Sequence, residues 1–192
     1  MRLQDLVIET ITKPAQAAAK VCALATDRDL ILTGFALNLV LGAFLYGFQS
    51  FLLGFPDNAM FPGLTPVYFG FFLAALQLSY AGASLLSARW LGGSASFVTT
   101  LGVLVWLRLV NIIVQIVAII VMFVASPLAI LLNMVAAIYG LYVIAHFTNV
   151  LFGLHSMAKS IGVILMAGFG AMAAVLLLMG FFAPTFLEAS HV

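Results

Sequence analysis

Five stretches of nearly unbroken apolar residues divide this chain, and short polar punctuation separates them. They run from about Leu30 to Gly54, Val67 to Trp90, Phe97 to Ala125, Pro127 to Val150 and Ile161 to Ala183. Each is at least as long as the roughly 20 residues that a helix needs to cross a bilayer. Ahead of them, residues 2 to about 25 carry a different pattern. Leu3, Leu6, Val7, Thr10 and Ile11 fall at helical spacing on one face, and Gln4, Asp5, Glu9, Thr12 and Lys13 fall mostly opposite. That pattern predicts an amphipathic helix in the interfacial plane before the first span. Glu9 and Lys13 are an i,i+4 pair, and Pro14 breaks or restarts the helix. The fold predicted is all-α: a polytopic membrane bundle of five transmembrane helices with an N-terminal amphipathic helix. The divisions are 1–29 for the N-terminal helix, 30–183 for the bundle and 184–192 for a tail.

The third run is too long. At about 1.5 Å per residue it exceeds a hydrocarbon core of about 30 Å. Either it tilts strongly, or its first ten residues form a separate helix. We favour a break near Trp106 to Arg108, because Trp is a typical interface residue. The second span holds Gly70, Ala74, Ala75, Ala81, Gly82, Ala83 and Ser84. Small residues let helices approach closely in a bilayer, so this span should sit centrally.

Composition agrees with the pattern. The chain has 192 residues, 65% of them hydrophobic and only 7% charged, against about 25% charged in soluble domains. Mean hydropathy is +1.26. Net charge is +1, so no nucleic-acid footprint exists. The N-terminus is not a signal peptide, since no apolar run follows Arg2 and acids interrupt it. The distribution of basic residues says more than their number. Arg2, Lys13, Lys20, Arg28, Arg89 and Lys159 fall on one side of the five spans. The loop 54–66, the turn 126–127 and the tail carry none. The positive-inside rule then makes the N-terminus cytoplasmic and the C-terminus non-cytoplasmic, facing the periplasm, lumen or exterior.

Candidate chemistry is sparse. Arg108, Asn111 and Gln115 share one helical face inside the third run, and no Asp or Glu lies in any span. A charge at the bilayer centre costs about 2.5–3.5 kcal/mol on insertion scales, so Arg108 either snorkels to the interface or meets a lipid phosphate or polar ligand. Tyr139, Tyr142, His146 and Asn149 form a second stripe, suited to hydrogen bonds between helices or to relaying protons. His146, His155 and Cys22 lack the spacing of metal ligands, so neither a metal nor any other cofactor is expected. Lone Cys22 reads as a packing residue. Few acids are available for acid–base work, and no nucleophile or phosphate-loop motif occurs, so an enzyme is not expected.

Three stretches together resemble bacterial members of the Yip family, small membrane proteins related to the Ypt/Rab-interacting proteins. They are the Thr-Lys-Pro-Ala step at Thr12 to Ala15, the segment LSARWLGGSASFVTTLGVL at Leu86 to Leu104, and FGLHSMAKSIGVIL at Phe152 to Leu165. The middle one holds the turn Arg89, Gly92 and Gly93. Two departures matter: no proline lies near Val110, and no Asp-Leu-Tyr motif is present, so Rab binding is not carried over. The resemblance implies a non-enzymatic membrane organiser or scaffold, with membrane lipids, a second copy or another membrane protein as partners. The alternative reading is a lipid- or small-solute-handling protein using the Arg108 face for transport or scrambling.

Overall fold

The computed structural model describes residues 2–53 and 65–189, and every regular element there is a helix. Two short helices come first, α1 (Leu3–Thr12) and α2 (Pro14–Leu24). Five long ones follow: α3 (Arg28–Leu53), α4 (Pro66–Trp90), α5 (Phe97–Val124), α6 (Ser126–Phe152) and α7 (Met157–Ala189). All five are long and apolar enough to cross a membrane. The expected loop 54–66 lies mostly outside the described residues. The last helix runs on through Pro184 to Ala189, past the predicted end of the fifth span at 183.

The starts and stops follow from local chemistry. Pro14 sits at the first position of α2, where its missing N–H costs nothing. The Asp27 carboxylate accepts from the backbone N–H groups of Asp29 and Leu30 and so caps α3. Thr65 and Ser96 cap α4 and α5 through their hydroxyls, at 3.4 and 3.0 Å from the N–H groups of Tyr68 and Thr99.

The spans form a ring in the order α3, α5, α6, α7, α4, and α4 also touches α5. The central place expected for the second span is shared, since α4 and α5 each touch three other spans. Its most extensive pairing is with α7, where small residues meet. Ala81 and Ala88 on α4 and Ala167 and Ala171 on α7 are buried, and a Cβ on Gly170 would stand 3.1 Å from that of Ala83. Close backbone approach of this kind replaces the hydrophobic effect as the adhesive between helices in lipid.

The expected break near Trp106 to Arg108 does not exist, because α5 is one helix of 28 residues. Its extra length is used instead by the N-terminal pair. The two short helices fold back on each other, and α2 lies along α5 and α6. Of the predicted apolar face only Leu6 and Thr10 are buried, while Leu3 and Ile11 are exposed. Leu6 joins Ala17, Ala18 and Val21 of α2, Val103 of α5, and Val143 and Phe147 of α6 in one cluster. The fold-back also redirects Glu9, whose carboxylate meets Lys20 at 2.6 Å, eleven residues on, rather than Lys13.

Candidate functional site

Arg108 lies where α5 packs against α3. Three α3 residues spaced four apart make the approach possible: Gly34, Asn38 and Gly42. A Cβ on Gly34 would stand 2.9 Å from a Val105 methyl, and one on Gly42 would stand 2.7 Å from Leu73 and 3.6 Å from Nη2 of Arg108. Asn38, between them, is 1% exposed and donates from Nδ2 to the Val105 carbonyl at 2.9 Å. The guanidinium thus lies over a stretch of α3 bare of side chain. Its Nη1 reaches Asn111 Oδ1 at a long 3.5 Å. Asn111 is exposed, and Gln115 is half-buried one turn further on. The ion pair found among the described residues is Glu9 with Lys20, and no described carboxylate pairs with Arg108.

Two more polar groups belong to this level. Asn38 Oδ1 and Gln77 Nε2 are buried without a hydrogen-bond partner. Gly42 faces Leu73, Gly47 faces Pro66, and the rings of Tyr46 and Phe69 stack at 4.0 Å. That antiparallel register brings Gln77 to the height of Asn38, so an orphan acceptor and an orphan donor share one layer. In the sequence Asn38 is only one polar residue inside an apolar run. The Gly34–Asn38–Gly42 spacing was the signal that could have marked it as a contact face.

Beyond Arg108, away from the short helices, α3 and α5 diverge around a groove of about 360 Å3. Leu41, Phe44, Leu45 and Phe48 line it from α3, and Ile112, Ile116, Ile119, Ile120 and Phe123 from α5. Every lining side chain is hydrocarbon.

The α6 stripe divides. Tyr139 donates its hydroxyl to the Ile11 carbonyl, one of the α1 end carbonyls left without a helical partner. Its ring meets Tyr142 at 5.5 Å, and Tyr142 meets the edge of His146 at 4.5 Å. Asn149 faces the next corner, accepting from the Ser156 N–H at 3.2 Å. Across from Tyr139, Trp106 donates from Nε1 to Thr10 Oγ1 at 3.0 Å, and Thr10 donates in turn to the Leu6 carbonyl. Trp106, Thr10, Ile11 and Tyr139 are therefore the polar latch of the hairpin, over the apolar cluster below it.

Cys22 reports on that latch. It packs against the same cluster, and burial pushes its thiol pKa above the usual range, which keeps it a poor nucleophile. Trp106→Phe removes one hydrogen bond at a cost of about 1 kcal/mol. The open hairpin should then be about five-fold more populated, and maleimide should label Cys22 about five-fold faster. An unchanged rate would show that the latch holds nothing.

The corners at the other side of this end interlock. Gly92 has φ +85°, and the N–H groups of Gly92 and Gly93 donate back to the carbonyls of Arg89 and Ala88, the double bond of a Schellman stop. Gly153, at φ +62°, closes α6 the same way, with Leu154 N–H on the Asn149 carbonyl. Ser94 N–H then donates to the Phe152 carbonyl at 3.1 Å, tying one corner to the other. Leu85, Ala88, Phe152, Leu154 and Val163 form the cluster beneath. The stretches around Gly92 and Gly153, read separately in the sequence, are one structural unit.

Comparison with curated proteins and with solved structures gave no match. A family model, the Yip1 domain, matches residues 8–182, which includes the latch, the Arg108 face, the groove and both corners. With that match over nearly its whole length, this chain is an integral membrane protein that belongs to the Yip1 family.

Proposed function

We propose that the protein is a non-enzymatic membrane organiser, a scaffold that works by holding lipids and protein partners rather than by transforming them. The observation that carries this reading is the end of the bundle where the docked hairpin and the interlocked corners meet. It is braced internally and presents Lys13, Lys20, Arg28, Arg89 and Lys159 as exposed cations, with Trp90 80% exposed beside Arg89. Basic residues gathered at one end favour a cytoplasmic, anionic-headgroup side. The N-terminus is then cytoplasmic and the C-terminus opposite, in an inner (cytoplasmic) membrane. Purification from native membranes, followed by native mass spectrometry, tests the scaffold: a defined oligomer or a reproducible partner is expected. A strict monomer without partners would sink it. A second reading, lipid or small-solute handling, is favoured by the unneutralised guanidinium of Arg108 with Asn111 and Gln115 close by.

A further inference from the structure

We infer that the groove between α3 and α5 holds one acyl chain of a glycerophospholipid whose phosphate rests on Arg108. The inference rests on the second reading's Arg108, not on the scaffold, and it supplies the ligand class which that reading lacks.

The groove has the dimensions of a chain. Its 360 Å3 lies within the range of small-molecule sites. From Ile112 to Phe123 it extends about 16 Å along α5, close to half of a hydrocarbon core of about 30 Å. That is one leaflet's depth. Leu41, Phe44, Phe48, Ile116 and Phe123 offer a tail only hydrocarbon.

The head of the groove is cationic. The Arg108 guanidinium lies over Gly42, which has no side chain, and among the described residues no carboxylate pairs with it. A half-buried guanidinium in apolar surroundings needs an anion, and its planar fork matches phosphate oxygens in pairs. A carboxylate from this chain would have served as well. Among the described residues none reaches it, and a lipid phosphate supplies the anion instead.

Depth agrees with both ends. Trp106 is bonded to Thr10, and beside Thr10 the charged pair Glu9–Lys20 must stand among water or headgroups. The headgroup level on this face is therefore near Trp106. Arg108 begins about 3 Å deeper. Its guanidinium reaches further in, to Asn111 one turn on and over Gly42 of α3. The phosphate is drawn about one turn below Trp106, to the mouth of the groove, and the tail runs inward along Ile112 and Ile116.

The test uses detergent-purified, delipidated protein with equal amounts of phosphatidylglycerol, phosphatidylcholine and diacylglycerol of the same chains. Native mass spectrometry reads the lipid adducts. Both phospholipids should be retained at least ten-fold over diacylglycerol. Arg108→Gln should erase that preference, Arg108→Lys should keep part of it, and Ile116→Trp, which fills the groove, should reduce all three adducts. Should Arg108→Gln fail to fold, the partial loss in Arg108→Lys reads the headgroup arm, and Ile120→Trp at the groove rim repeats the filling arm should Ile116→Trp fail. Leu141→Trp, on the exposed face of α6, should change nothing. Phospholipid retention equal to that of diacylglycerol overturns the inference, as does retention unchanged by Arg108→Gln or by filling the groove. Loss of a dimer on filling, with adducts intact, assigns the groove to a second copy and also overturns it. Oligomeric state is read in the same spectra, so failure of this site and failure of the scaffold are separately visible.

Discussion

Phe147→Ala should release the N-terminal hairpin and lower the thermal midpoint more than any other single truncation in the cluster. Phe147 is 0% exposed and is the largest fully buried side chain among the described residues. It stands where α2, α5 and α6 meet, against Ala17, Ala18, Val21 and Val103. Those neighbours are small or held by helix backbone, so they cannot move in to fill the space a phenyl ring leaves. Core Phe→Ala changes cost about 3–5 kcal/mol. In lipid the transfer part of that cost shrinks, because hydrocarbon surrounds the bundle anyway. The lost dispersion contacts remain, so about 3 kcal/mol is expected. Two readouts separate the outcomes. Cys22 labelling should rise by about two orders of magnitude, while the α4–α7 pairing, remote from the cavity, should stay intact to limited proteolysis. A variant with a wild-type midpoint and wild-type labelling would remove Phe147 from its central role.

The same region shows what a sequence can and cannot disclose. The five spans are legible because lipid selects for length and apolarity, which are properties of contiguous residues. The restart at Pro14 is legible for a similarly local reason. In the sequence Glu9 pairs with Lys13, because a single helix brings together only residues three or four apart. The chain folds back at Pro14, and Lys20 takes the place instead. The break expected near Trp106 was a sound reading of length and polarity answered by a different solution. The excess of α5 is accommodated by docking the hairpin against it, with the Trp106 N–H satisfied by Thr10, 96 residues earlier. Arg108 was visible as an isolated cation, but the groove was not. Its isoleucines and phenylalanines are indistinguishable in sequence from those that merely face lipid. What marks it is the way α3, brought against α5 at Gly34, Asn38 and Gly42, diverges beyond them.

Gly93→Val should be the most damaging substitution at the corners, and for a reason opposite to the one that holds at Gly92. Nothing stands within 4 Å of a Cβ at Gly92, but its φ of +85° disfavours L side chains. Asn tolerates that conformation best, so Gly92→Asn should cost less than about 1 kcal/mol. At Gly93 the backbone is ordinary and the space is absent. An added Cβ would stand 2.7 Å from a Leu154 methyl, 2.8 Å from the Phe152 carbonyl oxygen and 3.0 Å from the Phe152 Cβ. The methyl can turn away, but the carbonyl cannot, because it accepts from the Ser94 N–H and belongs to the last turn of α6. Relieving the clash means parting the corners. That breaks the Ser94–Phe152 bond and opens the cluster of Leu85, Ala88, Phe152, Leu154 and Val163. Overpacking of this kind costs about 1–3 kcal/mol, and the lost backbone hydrogen bond adds about 1 kcal/mol. Thermal melts in detergent should therefore rank wild type, then Gly92→Asn, then Gly93→Ala, then Gly93→Val. The double variant Gly93→Ala with Leu154→Ala tells carbonyl from methyl. If Phe152 oxygen is the obstacle, removing the leucine rescues nothing and adds its own cavity. Recovery of the wild-type midpoint in that double variant would show that the corners are held by side-chain packing, not by the backbone bond between them.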